Sequence, residues 1–128
     1  MGDHEALLTR LYEAFNRKDV EAVVAALHPD VDWPNLLDGG RIHGRDAVRA
    51  YWRRQFAIIS PDATPISYQS LPDGQMIVTI HYVVRAVEGG LWTDETTANV
   101  YSFKDGMVLK MDWGQVTKKK LASSRPTP

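Results

Sequence analysis

The feature that most limits what this chain can fold into is a change of hydrophobic period at Ile66. Before it, apolar side chains recur at helical spacing; after it, they alternate. Leu7, Leu8, Leu11, Tyr12 and Phe15 fall at i, i+1, i+4, i+5 and i+8, one stripe of a helix that Asp3 can cap and that ends near Asn16-Arg17-Lys18. Asp19 caps a second helix with Val20, Val23, Val24 and Leu27 apolar, and Pro29 forbids its extension past His28. A short strand, Val31 to Trp33, follows. A Gly-rich loop, Asp38 to Gly40, leads to a second short strand, Arg41 to His43, and a third helix opens at Gly44. In that helix Ala47, Val48, Tyr51, Trp52, Phe56 and Ile59 form the apolar stripe; Arg45, Arg49, Arg53 and Arg54 take the opposite face, and Gln55 flanks the stripe.

Ser60-Pro61-Asp62-Ala63-Thr64-Pro65 reads as a break. Beyond it, Ile66 to Leu71, Met76 to Val87, Leu91 to Phe103 and Met107 to Val116 read as strands, separated by Pro72-Asp73-Gly74, Glu88-Gly89-Gly90 and Lys104-Asp105-Gly106. Met76, Val78, Ile80, Tyr82 and Val84 share one strand face. On the next two strands, Asn99, Tyr101 and Phe103 are expected to join Met107, Leu109, Met111, Trp113 and Gln115 on a concave, mostly apolar face. Helices first and an antiparallel meander afterwards define an α+β plan, a cone-shaped curved antiparallel sheet covered by three N-terminal helices.

The chain has 128 residues, enough for one domain that hides roughly two-thirds of its unfolded surface. We place that domain over residues 1–116 and expect a basic, solvated tail over residues 117–128. Fifteen basic residues against sixteen acidic ones leave a formal charge of −1, so no global field recruits nucleic acid or an anionic membrane. Cysteine is absent, which removes disulfides, thiol nucleophiles and thiolate metal sites. No apolar run approaches the roughly 20 residues of a membrane span, and the start has no basic-then-apolar leader. A cytoplasmic protein is expected. Neither a Gly-x-Gly-x-x-Gly turn, a P-loop, a Gly-x-Ser-x-Gly elbow nor a paired-histidine spacing occurs, so no nucleotide, nucleophilic or metal chemistry is indicated and no cofactor is expected.

The chain resembles the nuclear-transport-factor-2-like superfamily, and within it SnoaL-like proteins and relatives of ketosteroid isomerase. The resemblance covers residues 4–116. It rests on Tyr12-Glu13-Ala14-Phe15-Asn16 with Asp19, on His28-Pro29-Asp30-Val31-Asp32-Trp33, on His43-Gly44-Arg45-Asp46-Ala47-Val48 with Tyr51-Trp52, and on Tyr101-Ser102-Phe103-Lys104-Asp105-Gly106. It implies a scaffold shared by isomerases, dehydratases, cyclases and proteins without known chemistry. The isomerase pattern transfers with three changes. Its base aspartate, which precedes a proline, is replaced by Trp33, with the carboxylate displaced to Asp32; its first-helix tyrosine falls on Leu11, beside Tyr12; its protonated aspartate falls on Asn99. The Asp-Arg-Asp set of limonene epoxide hydrolase-like enzymes has no counterpart on any predicted strand.

These residues define the candidates. Asp32 and His43 are the candidate bases, and Asn99 and Tyr101 the candidate holders of a developing oxyanion, together the catalytic set. Strict alternation, however, turns Asp32 to solvent if Val31 and Trp33 face inward. Leu11, Tyr12, Trp33, Tyr51, Gln55, Tyr82, Met111, Trp113 and Gln115 are the candidate lining of a small-molecule pocket, because buried Tyr and Trp must find partners for their polar atoms. The expected function is binding of a small, largely apolar organic molecule, with cofactor-independent acid–base chemistry next to a carbonyl (isomerase, dehydratase or cyclase type) if the protein is an enzyme. The alternative is a non-catalytic ligand-binding or dimeric interaction protein of the same fold. A homodimer is expected through the outer sheet face, where Ile77, Thr79, His81, Val83, Thr96, Ala98 and Val100 are too apolar to be fully exposed.

Overall fold

The computed structural model describes residues 2–36 and 39–114. Gln115 and the expected tail, residues 117–128, lie outside the described residues, as do Leu37 and Asp38. Three helices and six strands follow in the order α1 (Gly2–Asn16), α2 (Val20–Ala25), β1 (Leu27–Pro34), β2 (Arg41–His43), α3 (Arg45–Ile58), β3 (Ile59–Ser70), β4 (Met76–Ala86), β5 (Leu91–Lys104) and β6 (Met107–Asp112). The strands form one sheet in the order β2-β1-β6-β5-β4-β3.

Three helices form in the order expected, but α2 stops at Ala25, short of His28, so that Leu27 opens β1, and α3 stops at Ile58, so that Ile59 opens β3. Asp19 caps α2, its carboxylate accepting from the Ala22 N–H at 3.2 Å. Asp3 lies inside the first turn of α1 rather than ahead of it, where its charge still suits the N-terminal dipole. The buried face of α3 is Val48, Tyr51, Trp52 and Gln55; Ala47 is exposed, so the stripe is narrower than its apolar residues suggest. Arg45, expected in solvent, turns back to donate to the Leu27 carbonyl through Nε at 3.0 Å and through its terminal nitrogen. That pins the start of α3 to the first residue of β1.

Three sheet expectations are corrected. The segment containing Pro61 and Pro65 is not a break but the first half of β3, a twelve-residue strand paired along its length with β4. It sits at the sheet edge, where a strand bonds on one side only and a missing N–H is tolerated. The sheet is not wholly antiparallel: β1 runs from Leu27, well before Val31, and pairs parallel with β6 through Leu27↔Val108 and Asp32↔Lys110. In β6 the expected alternation fails, because a register shift opposite Ser102 and Phe103 makes Leu109 an extra residue; Val108 and Met111 are buried instead of Met107 and Leu109. Phe103 is half-buried and stacks on His4 with ring centroids 3.8 Å apart.

β4 behaves as its pattern requires, with Met76, Val78, Ile80, Tyr82 and Val84 all buried under the helices. On its other face Ile77, Ala98 and Val100 form a second small cluster with Leu71. Of the outer-face residues, Ile77, Ala98 and Val100 are buried in the single chain, Thr79 and Val83 are partly buried, and His81 and Thr96 are exposed. Among the described residues no helix is long and apolar enough to cross a membrane.

The turn from β2 into α3 depends on Gly44, whose φ of 92° and ψ of 147° lie outside the range of L side chains while its N–H bonds the Val31 carbonyl at 2.8 Å. An added Cβ would meet only the Pro29 carbonyl at 3.8 Å, so strain rather than collision sets the penalty. Gly44→Ala should therefore lower unfolding stability by about 1–3 kcal/mol in urea titration, and a loss below ~0.5 kcal/mol would contradict the strain argument.

Candidate ligand-binding site

The alternation of β5 places Asn99 and Tyr101 under the helical layer, and α1 brings Tyr12 above them. The Tyr12 and Tyr101 hydroxyls are 2.6 Å apart. Two hydroxyls hold two hydrogens and their mutual bond uses one, so the other hydrogen remains to be donated. Asn99 is fully buried, and its Oδ1 accepts from the Gly114 N–H at 2.9 Å and from the Thr97 hydroxyl at 3.4 Å. A backbone N–H can only donate, so the amide oxygen must face Gly114 and the NH2 group must face away from it. Among the described residues that NH2 has no partner within hydrogen-bond distance, though it lies near enough to the Tyr12 hydroxyl to favour its ionised form.

These groups line a small, partly open chamber whose other walls are apolar: Leu11 and Phe15 from α1, Trp33 from β1, Ala63 and Ile80 from the sheet, and Met111 and Trp113. It offers the centre of a water molecule about 20 Å³, room for one water or one ligand oxygen. Leu36, Trp52, Tyr82 and Trp113 line this chamber and also a wider groove of about 420 Å³ that opens to solvent. Tyr51, Gln55, Ile59, Val84, Trp92, Thr93 and Glu95 complete the groove. Trp113 packs edge-on against Tyr82, centroids 4.6 Å apart, and both line the two spaces. All four tryptophans of the chain line one space or the other.

Burial raises the hydroxyl pKa of Tyr101 and Tyr12, the latter partly offset by the polar groups of Tyr101 and Asn99; burial and then neighbouring Tyr51 and Glu95 raise that of Tyr82. All three remain neutral hydrogen-bond donors at any physiological pH. Among the described residues two further buried polar atoms lack partners, Trp52 Nε1 and Gln55 Oε1.

The structure brings Asn99, Tyr101, Leu11, Tyr12, Trp33, Tyr82, Met111 and Trp113 to the chamber and Tyr51 and Gln55 to the groove. It does not bring the two candidate bases there. Asp32 points outside the chamber, its carboxylate accepting from Arg41 Nε at 2.7 Å, while the same guanidinium reaches Asp112 at 3.2 Å and the Met111 carbonyl at 2.8 Å. Val31 and Trp33 are the inward residues on either side, as alternation requires. His43 is exposed at the end of β2 and lines neither space. His81, also exposed, bonds Asp94 at 2.6 Å.

Sequence reasoning left out Phe15, Leu36, Trp52, Ala63 and Ile80, and on the groove side Ile59, Val84, Trp92, Thr93 and Glu95. Phe15 lies one helical turn from Leu11 and Ile80 lies two residues from Tyr82 on the same strand face, so both were within reach of the pattern. Ala63 was lost with the misread β3. Trp92 has the wrong parity for the inner face of β5 and reaches the groove through the register shift that pairs Val84 with Thr93 but Arg85 with Leu91.

A curved sheet roofed by N-terminal helices over a small interior chamber is the nuclear-transport-factor-2-like (NTF2-like) class of α+β protein. Solved structures share it: an NTF2-like protein of unknown function from Burkholderia pseudomallei is 27% identical, with 95% of this chain and 97% of that chain covered and a TM-score of 0.77. A putative polyketide cyclase from Xanthomonas campestris pv. campestris is 19% identical over 94% of this chain and 95% of that one, TM-score 0.72. TerC, crystallised with polyporic acid, is 17% identical over 96% and 100%, TM-score 0.75. Within the class, residues 8–111 match the SnoaL-like domain model, and the chain belongs to that family. No curated protein matches it.

A tyrosine hydroxyl that ionises later in the folded than in the unfolded chain stabilises the fold fully below the unfolded pKa, here 10.0, and loses that contribution as pH rises beyond it. At about pH 11 the native protein should still hold Tyr12, Tyr82 and Tyr101 protonated in an ultraviolet phenolate titration, and thermal stability should fall from about pH 10 upward. Ionisation of all five tyrosines near pH 10 without unfolding would contradict the burial.

Proposed function

We propose that this protein binds a small, largely apolar organic molecule through an acceptor oxygen, with the body of the ligand in the outer groove and the oxygen in the inner chamber. The observation that carries the proposal is the unpartnered NH2 of Asn99. An amide donor with no acceptor in an apolar enclosure costs about 1–3 kcal/mol unless something occupies it. The remaining hydroxyl hydrogen of the Tyr12–Tyr101 pair is a second donor for the same oxygen. The sizes agree with this division: a groove of about 420 Å³ falls within the range of ligand sites, whereas the chamber takes one atom of the ligand. That a solved relative of the fold was crystallised with an organic acid is in keeping with the reading.

Binding is preferred to acid–base catalysis because a base must reach the proton it removes. Among the described residues lining the chamber there is no carboxylate or imidazole, and Glu95, at the exposed side of the groove, is the one carboxylate along the whole path. Asn99 and Tyr101 thus enter as ligand-holding groups, and Asp32 and His43 take no part. A second copy of the chain is not required by this arrangement.

The quenching of tryptophan fluorescence measures the preference directly, using 1-tetralone and its hydrocarbon counterpart tetralin. The wild-type protein should favour the ketone by about tenfold or more, and Asn99→Leu should erase that preference while still binding tetralin. Equal affinity for ketone and hydrocarbon in the wild type, or a preference that survives Asn99→Leu, would overturn the proposal.

A further inference from the structure

β3 forms one edge of the sheet over twelve residues, and its two halves are finished differently. An edge strand turns the N–H and C=O of every second residue away from its neighbour, and those groups bond another strand unless something blocks them. The first half is blocked. The Asn16 side chain donates to the Ala63 carbonyl at 2.9 Å and accepts from the Ala63 N–H at 2.8 Å, the two bonds a neighbouring strand would make. Lys18 Nζ donates to the Pro61 carbonyl at 2.6 Å, and Pro61 and Pro65 have no N–H to offer. This protection ends at the register shift between Pro65 and Ser67.

Beyond the shift the register settles which groups face out. Ala63 lies opposite Tyr82 and its backbone bonds point away from β4, so the odd-numbered residues of β4 are the ones that bond β3. Thr79 and Ile77 therefore bond Ser67 and Gln69, while Tyr68 and Ser70, opposite Val78 and Met76, turn their N–H and C=O outward. Among the described residues no donor or acceptor meets those outward groups. The strand is held in place from within, the Tyr68 hydroxyl lying 3.0 Å from that of Thr9 on α1. Ile66 is 60% exposed, Ser67, Gln69 and Ser70 are exposed, and no charged residue or proline occurs from Ile66 to Leu71.

We propose that this open half of β3 pairs antiparallel with the same segment of a second copy of the chain, about a two-fold axis at Tyr68, so that the two sheets become one. In that register the outward groups of Tyr68 bond those of its counterpart, Ile66 lies opposite Ser70, and Ser67 lies opposite Gln69. The segment suits itself as a partner. A hydroxyl and a carboxamide each donate and accept, so the Ser67–Gln69 pair is matched twice across the axis, and no like charges meet. The exposed Ile66 comes alongside Ser70 and Leu71 of the other copy, and Leu71 packs on the cluster of Ile77, Ala98 and Val100, so the contact extends an apolar surface already present. Growth stops at two copies. The two-fold contact uses the open half of β3 in both chains, and the opposite edge, β2, has only three residues.

A contact of this length is small, so the dimer should be a weak one, with a dissociation constant of about 10–100 µM by analytical ultracentrifugation. Two double variants at exposed positions test the register without touching the core. Ser67→Lys with Gln69→Lys sets like charges opposite each other across the axis and should weaken the dimer about tenfold or more; Ser67→Lys with Gln69→Glu sets opposite charges there and should leave it intact. Hydrogen exchange at the Tyr68 and Ser70 amides should slow as the wild-type protein is concentrated from about 5 to about 500 µM. A monomer at the higher concentration would overturn the proposal. So would a dimer that both variants leave unchanged, as one held by the outer sheet face would be, or a dimer that both weaken equally.

Discussion

One constraint governs this structure: a sheet apolar on one face has to be covered, and here a helical layer of three helices must cover six strands. The strands that lie beneath it donate Val78, Ile80, Tyr101 and Val108 to the core, and α1, α2 and α3 return Leu8, Val23 and Val48, all buried to within 1%. Each such side chain contributes about 1.5–3 kcal/mol through burial, which is what holds the layers together. The half-exposed ions play a smaller part: the Arg41 bridge to Asp32 and Asp112 joins β2, β1 and β6 at distances of 2.7 and 3.2 Å, and pairs of this exposure are worth up to about 1 kcal/mol.

Against that background the polar groups in the core are the informative ones. Tyr12 and Tyr101 bond each other with one hydroxyl hydrogen left over, and Thr97 and Gly114 satisfy the oxygen of Asn99, but among the described residues the amide NH2, the Trp52 indole and the Gln55 amide oxygen have no partner. A core under pressure only to be stable would carry Leu or Met at these places. Three buried polar atoms without partners among the described residues, all on side chains that line one of two adjoining spaces, are better explained by an occupant than by packing. The Gly114 N–H has a directing role: it fixes which end of the Asn99 amide faces the chamber, and so sets the site to receive an acceptor.

Much of the fold was legible because its signals are local. Asp19, the Asp105-Gly106 turn with φ of 55° and 76°, and the alternation of β4 each act within a few residues. What was not legible depends on neighbours in space. Pro61 and Pro65 look like breakers until β3 is known to be an edge strand. The bulge in β6 that exchanges Leu109 for Val108, and the one near Trp92, are set by the pairing partner rather than by the residues themselves. The site divides in the same way. Tyr12, Tyr82, Asn99 and Tyr101 followed from periodicity, and the alternation that turned Asp32 outward was itself readable. The three-strand bridge that holds Asp32 was not, since Arg41 comes to it through the β1–β2 pairing and Asp112 through the parallel pairing of β1 and β6.

The account stands on an open amide donor in an apolar chamber, and the most direct measurement is a crystal structure of the protein at about 1.5 Å, without ligand and soaked with 1-tetralone. The account predicts a single ordered water within about 3.2 Å of Asn99 Nδ2 in the free protein, replaced by the ketone oxygen in the soaked crystal. An Asn99 NH2 bonded to a protein acceptor, with no density in the chamber in either crystal, would contradict it.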